Sequence, residues 1–249
     1  MISLKSNREI QIIRQAAEVL KQIFIEVEKQ IAPGVTTDAL DQAAEKIILR
    51  AGAIPAFKGY RGFPKTACIS VNEEVVHGIP GPRKLREGDL VSFDIGAKID
   101  GYYADAARTW AVGKISDNKK KLMKAAEKSF QAGLKAYKSG ARIGDLSSAI
   151  QISIEEDGYQ VVRDYVGHGI GRNLHEEPQV PNYGEAGRGY KIQDGLVLAI
   201  EPMVTEGHHA VKTLDDGWTV VTQDGMWASH YEDTVAFMDG TVVNLTRGE

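Results

Sequence analysis

The chain has 249 residues, with 30 Lys and Arg against 34 Asp and Glu and a formal charge of −4. That length suits one large domain or two small ones, and the mildly acidic balance argues against a dedicated nucleic-acid binder. The single cysteine, Cys68, excludes an intramolecular disulfide framework and a Cys-based zinc site, and it fits a reducing compartment.

The first residues lack the apolar core and cleavage site of a signal peptide. No apolar run approaches the roughly 18 residues of a membrane span. A soluble cytoplasmic protein is therefore expected. Ser6-Asn7-Arg8-Glu9 reads as a capping box. Beyond it Ile10, Ile13, Ala17, Leu20, Phe24, Val27 and Ile31 keep helical spacing as far as Pro33-Gly34. Asp38 to Arg50 is a second amphipathic helix stopped by Gly52. Residues 67–71 and 75–77 read as short strands, and Leu90 to Lys98 with Tyr102 to Trp110 as a hairpin turning near Asp100-Gly101.

The pattern then repeats. Ser116 to Lys138 is a long helix closed by Gly140, and Asp145 to Asp157 a shorter one closed by Gly158. Gly34, Leu40 and Gly52 recur as Gly140, Leu146 and Gly158, and Leu90-Val91 as Leu196-Val197, all at an offset of 106 residues. A shared offset predicts two related halves of one fold, about 1–112 and 113–249, joined in a single domain. Strands of period two with helices on one face predict an α+β architecture.

The hairpin carries the first chemistry. If Lys98 to Gly101 is a four-residue loop, Ala97 pairs with Tyr102 and Asp94 stands opposite Asp105. Opposed Cβ atoms lie about 4.5–5.5 Å apart, close enough for two carboxylates to repel. Their neighbours Phe93, Ile95, Ala104 and Ala106 are apolar, and no Lys or Arg stands at a partnering position. A divalent cation is the natural counter-charge. The second half offers the same pair: Glu201 ends the apolar run Leu196 to Ile200, and Glu232 lies inside the strand Ser229 to Thr234. His168 adds an imidazole within Gly167-His168-Gly169-Ile170-Gly171. Four carboxylates and one imidazole are too many for one tetrahedral zinc. They suit two divalent ions about 3.5–4 Å apart, drawn from Mn, Fe, Co or Zn. There is no P-loop, no G-x-S-x-G elbow and no H-E-x-x-H.

Taken in order, Asn72 to Pro80, the Asp94/Asp105 hairpin, Gly167 to Gly171 with His175-Glu176-Glu177-Pro178, Ile200-Glu201-Pro202-Met203 and Tyr231-Glu232 resemble the short bacterial type I methionine aminopeptidases, over essentially the whole chain. The resemblance implies a pseudo-two-fold pita-bread fold, an antiparallel sheet covered by two pairs of helices. It implies that Asp94, Asp105, His168, Glu201 and Glu232 hold two metal ions whose bridging water attacks the scissile amide. Catalytic roles fall on His77, His175 and Glu201. Substrate contacts fall on His77 and His175, with Tyr60, Phe63, Cys68 and Trp218 walling the methionine pocket. The implied partners are nascent polypeptides with a free N-terminal Met and a small second residue, met by a monomer with a transient ribosome contact, no nucleic-acid substrate and no membrane. The chain departs from the family pattern at Leu174, His230 and Asp233, where an aromatic residue, Gln and His are common. An Xaa-Pro peptidase and a non-catalytic binding module are the other readings of such a fold. The first relatives usually carry an extra N-terminal domain, and the second typically lose metal ligands.

Overall fold

The computed structural model describes residues 2–247. Helix α1 (Asn7–Glu28) starts at Ser6, whose side chain accepts from the Glu9 amide while Glu9 accepts from the Ser6 amide. That is the reciprocal box the sequence announces. Its buried stripe includes Ile10, Ile13, Leu20, Phe24 and Val27. Thr36 caps α2 (Thr37–Arg50). After the first set of strands come α3 (Asp117–Ala136) and α4 (Ile143–Glu156). Helix α4 begins and ends 106 residues after α2, the offset seen in the sequence.

Between α2 and α3 lie β1 (Ile54–Pro55), β2 (Ala67–Val71), β3 (Glu74–Val76), β4 (Leu90–Ile99) and β5 (Tyr102–Ala111). After α4 come β6 (Gln160–Val161), β7 (Gly167–Gly169), β8 (Glu176–Val180), β9 (Val197–Ile200) and β10 (Met203–Thr205). The chain closes with β11 (Val211–Thr213), β12 (Val220–Thr222), β13 (Ala228–His230), β14 (Glu232–Met238) and β15 (Thr241–Asn244). A nine-stranded antiparallel sheet runs β1-β4-β5-β14-β9-β7-β8, with β2 also on β4 and β15 also on β14. Two three-stranded sheets flank it, β13-β10-β6 and β11-β12-β3.

Alternation along the strands divides the large sheet into two faces. Phe93, Ile95, Ala97, Ala104 and Ala106 join the α1/α2 core, while Leu198, Ile200, Val235 and Phe237 join the α3/α4 core. Both helix pairs thus cover the sheet on one side. The opposite side carries Asp94 of β4, Asp105 of β5, His168 of β7 and Glu232 of β14. This is the pita-bread arrangement, and no described helix is long and apolar enough to cross a membrane.

Two expectations are corrected. Asp100 and Gly101 have φ of 46° and 84°, and Ile99 pairs with Tyr102. Positive φ at both central positions is the two-residue type I′ turn that Asp-Gly favours, not a four-residue loop. Asp94 therefore pairs with Ala107 and Asp105 with Gly96. The register moves by two residues, so both acids keep the same face but stand diagonally rather than opposed. The expected strand Ser229 to Thr234 is also interrupted at Tyr231, between β13 and β14.

Candidate metal centre and substrate pocket

The ladder explains why acids scattered through the sequence meet. Asp94 on β4 pairs with Ala107 on β5, and Ala107 pairs with Glu232 on β14. One row further, Gly96 pairs with Asp105, while Thr234, Ala199 and His168 are paired in turn across β14, β9 and β7. Thr234 ties the two ends of that row together: its Oγ1 accepts from the Asp105 amide at 2.9 Å and donates to the Asp105 carbonyl at 2.8 Å. Glu201 follows Ile200, the partner of Asp233, at the end of β9. The positions between the charged residues, 96, 107 and 199, are occupied by the small residues Gly, Ala and Ala. At Gly96 a Cβ would sit 2.8 Å from Ala56 Cβ, so no larger residue fits there.

Asp94, Asp105, His168, Glu201 and Glu232 line one cavity of about 150 Å³. One ligand atom from each of Asp105, His168 and Glu232 lies within 4.8 Å of the others, and His168 Nε2 is 3.7 Å from Glu201 Oε1. Asp94 Oδ1, Asp105 Oδ1 and Glu232 Oε1 are buried without a hydrogen-bond partner. Burial pushes all four acids up. Asp105 is raised to about 7. Asp94, Glu201 and Glu232 lie well above the carboxylate range, through burial first and then mutual repulsion. The His168 ring is pushed down to about 3, mainly by burial. Its Nδ1 faces the Gly169 carbonyl at 2.9 Å and must donate there, which leaves the Nε2 lone pair facing the acids. Orphaned oxygens and an unprotonated imidazole nitrogen in one cavity are a donor set for divalent metal, and the residues present fit that group.

The same cavity is walled by Tyr60, Phe63, Cys68, Leu174 and Trp218. Phe63 and Trp218 meet edge to face at 5.1 Å. Burial, followed by the charge of Asp94, lifts the Cys68 thiol well above its usual range, so it acts as a small apolar wall. His77 is held differently. Its φ is 61°, a left-handed backbone that a non-glycine residue adopts at a cost. Gly78 holds it there: Ile69 donates to the Gly78 carbonyl at 2.8 Å, Gly78 N donates to Ser70 Oγ at 3.1 Å, and a Cβ at 78 would overlap the Ile69 carbonyl. The ring rests edge-on against Tyr165 at 5.4 Å and Trp218 at 6.4 Å, and burial lowers its pKa to about 4. His175 stacks on Tyr60 with its Nδ1 2.9 Å from the phenol oxygen, and its ring centroid is 4.2 Å from that of His168.

The structure therefore brings the candidate metal-ligating, catalytic and pocket residues to one cavity. It also adds residues that sequence reasoning missed. Thr234 clamps Asp105, Tyr165 backs His77, and buried Asn182 donates to the Glu201 carbonyl at 3.0 Å. None of these carries a local signal, because each acts across a long sequence separation. His230, noted only as a departure, is buried with Nε2 3.8 Å from Glu201 Oε2.

Residues 11–238 match the profile of metallopeptidase family M24. Methionine aminopeptidase 1 of Bacillus subtilis (strain 168) is 50% identical over 247 residues, 99% of this chain and 100% of that protein. The methionine aminopeptidase of Clostridium acetobutylicum is 53% identical, over 99% of each. The crystal structure of methionine aminopeptidase from Thermotoga maritima superposes with a TM-score of 0.97 at 43% identity, over 99% of each chain. The prolidase from Pyrococcus furiosus, at 24% identity and a TM-score of 0.80, shares the fold. With nearly its whole length and its fold matched, the chain belongs to metallopeptidase family M24, within the group of the methionine aminopeptidases.

Proposed function

We propose that the chain is a metal-dependent aminopeptidase that removes the N-terminal methionine from nascent proteins and peptides, preferring a small second residue. One observation carries this reading: buried carboxylate oxygens without partners lie in the same small cavity as an apolar, aromatic wall. A cavity of about 150 Å³ is below the roughly 300–1,000 Å³ of sites for drug-sized ligands, and it suits one side chain. Tyr60, Phe63, Cys68 and Trp218 would receive the thioether, where sulfur–aromatic contacts add a little.

Asp94, Asp105, His168, Glu201 and Glu232 would hold two divalent ions, from Co, Mn, Fe or Zn. When bound, such ions supply a water of lowered pKa and polarise the scissile carbonyl. Glu201, whose carboxyl is pushed well up, takes a proton from water and passes it to the leaving amine. His77 is neutral at physiological pH and fixed by its strained backbone, and its N–H is offered to the reacting amide. His175, oriented by Tyr60, contacts the substrate carbonyl. The apolar wall excludes competing water from the side-chain pocket. The chain works as one catalytic domain of two related halves, about 1–112 and 113–249. It acts as a cytoplasmic monomer that meets nascent chains through a transient ribosome contact.

The test is hydrolysis of a panel of Met-Xaa peptides against Xaa-Pro peptides after metal removal and re-addition. Rapid cleavage of Met-Ala-Ser only after re-addition is expected. Preference for the Xaa-Pro peptides overturns the substrate, and unchanged turnover by Glu201→Ala overturns the mechanism.

A further inference from the structure

The N-terminal segment ahead of α1 is tied into the body of the fold. The Lys5 amide donates to the Gly195 carbonyl at 2.7 Å. Its side chain then runs inward, with only 3% of its surface exposed, to place Nζ 2.5 Å from Glu176 Oε2 and 2.8 Å from the Ser3 carbonyl. Two glycines open the way. A Cβ at Gly195 would lie 2.6 Å from the Lys5 carbonyl, and one at Gly171 would overlap Lys5 Cε. Glu176 is itself 9% exposed on its side chain, and its other oxygen accepts from the Asn173 amide at 3.0 Å. Gly171 in turn accepts from the Tyr103 amide on β5 at 2.8 Å.

Burying a lysine–glutamate pair adds little net stability, because desolvation offsets most of the attraction. What such a pair does supply is a fixed geometry. Glu176 is the residue directly after His175, and its two oxygens hold both the turn at Asn173 and the ammonium of Lys5. The loop from Gly171 to Glu176 carries Leu174 into the pocket wall and His175 over His168. Besides this clamp, His175 is held by the Tyr60 phenol and by the pairing of its neighbour Glu176 with Gly169 at the start of β8.

We infer that Lys5 is a positioning residue that acts through Glu176 to hold His175 in its working place, so that the N-terminal segment is part of the substrate site. The inference rests on the proposed role of His175. A displacement of about 1 Å in a group that meets the substrate can cost up to about a hundredfold in rate.

A double-mutant cycle on the metal-loaded full chain decides it, with Lys5→Met, His175→Ala and the pair combined assayed on Met-Ala-Ser. Lys5→Met is expected to lower kcat/KM about tenfold to a hundredfold in the parent and to have no further effect in the His175→Ala background, with metal content unchanged. Equal losses in both backgrounds, or no loss in the parent, overturn the inference while leaving His175 in its role. Full activity of His175→Ala overturns the role of His175 and the inference with it. If Lys5→Met alone fails to fold because Glu176 is left buried and unpaired, Lys5→Met/Glu176→Gln removes both charges, and the same cycle is read with that variant. Hydrogen exchange at residues 171–176 gives a second readout: faster exchange confined to that loop is expected, and unchanged exchange there overturns the inference.

Discussion

Glu232 and Asp233 are consecutive on β14 and almost equally inaccessible, at 2% and 0% exposure. Their surroundings are opposite. Asp233 points to the helix side, where Arg108 Nη2 and Thr246 Oγ1 each donate to Oδ1 at 2.5 Å and Asn244 Nδ2 donates to Oδ2 at 2.9 Å. Arg108 is in turn sandwiched between the Phe24 and Tyr231 rings, at 4.9 and 4.3 Å. Glu232 points to the other side, where Oε1 has no partner and Asp105, Glu201 and Asp94 repel its charged form. A buried carboxylate is tolerable when the protein supplies its counter-charge. When the protein withholds one, as at Glu232, the site is built for a cation from outside. The departure at Asp233 from the common histidine belongs to the satisfied side of the strand and leaves the donor set intact.

The largest expected effect is on the unsatisfied side. Glu232→Gln should lower kcat/KM on Met-Ala-Ser by more than about a hundredfold, beyond the loss typical of outer-shell partners. The same change should leave the metal-free protein as stable or more stable in a urea melt at neutral pH, because an amide escapes the penalty that burial and the neighbouring acids place on ionising this carboxyl. Asp233→Ala should do the reverse and cost about 3–5 kcal/mol in urea melts with or without metal, because it strands Arg108. A loss below about 1 kcal/mol would break the contrast.

The acids of the site also set a pH dependence. The folded pKa of Asp105 is raised from 3.8 to about 7. Its contribution in the metal-free protein is therefore fully present below about 3.8 and is lost as pH rises through about 7. His77 and His168, lowered from 6.5 to about 4 and about 3, work in the other direction. Their contribution is present above 6.5 and is lost as pH falls. The stability difference between metal-free parent and metal-free Asp105→Asn isolates the first term, and it should shift in favour of Asp105→Asn as pH rises from 4 to 8. Metal uptake near pH 6 should release protons, read by calorimetry in two buffers of different ionisation enthalpy. The smallest effect belongs to Thr246→Val, which removes one donor from Asp233 and should cost about 1.5 kcal/mol.

Much of this was legible in the residues. The capping box, both helix pairs and the 106-residue offset between α2 and α4 are local patterns, and local patterns survive folding. The clustered acids stand out as a charge anomaly among apolar neighbours and by resemblance. The hairpin register was misread although its signal was present, because Asp100-Gly101 specifies a two-residue turn. Parity rescued the conclusion: a shift of two keeps Asp94 and Asp105 on one face. The strain at His77 and the buried Lys5–Glu176 pair left no such trace. Each is set by contacts between segments far apart in the chain, and only the glycines at 78, 171 and 195 mark where backbone must pass closely.

The rows of the ladder have one more consequence. Asp94 and Asp105 stand on strands that precede residue 112, whereas His168, Glu201 and Glu232 come from strands that follow residue 160. Neither group alone makes a cage, so an ion bound by both is a rivet through the seam. A chain that has docked only one set of strands would present two loose acids, with or without His168, and should retain metal poorly. Retention of an ion there would require both sets of strands to be in place. It should also lengthen the lifetime of the folded state more than the number of new bonds suggests, since unfolding must first draw the rivet.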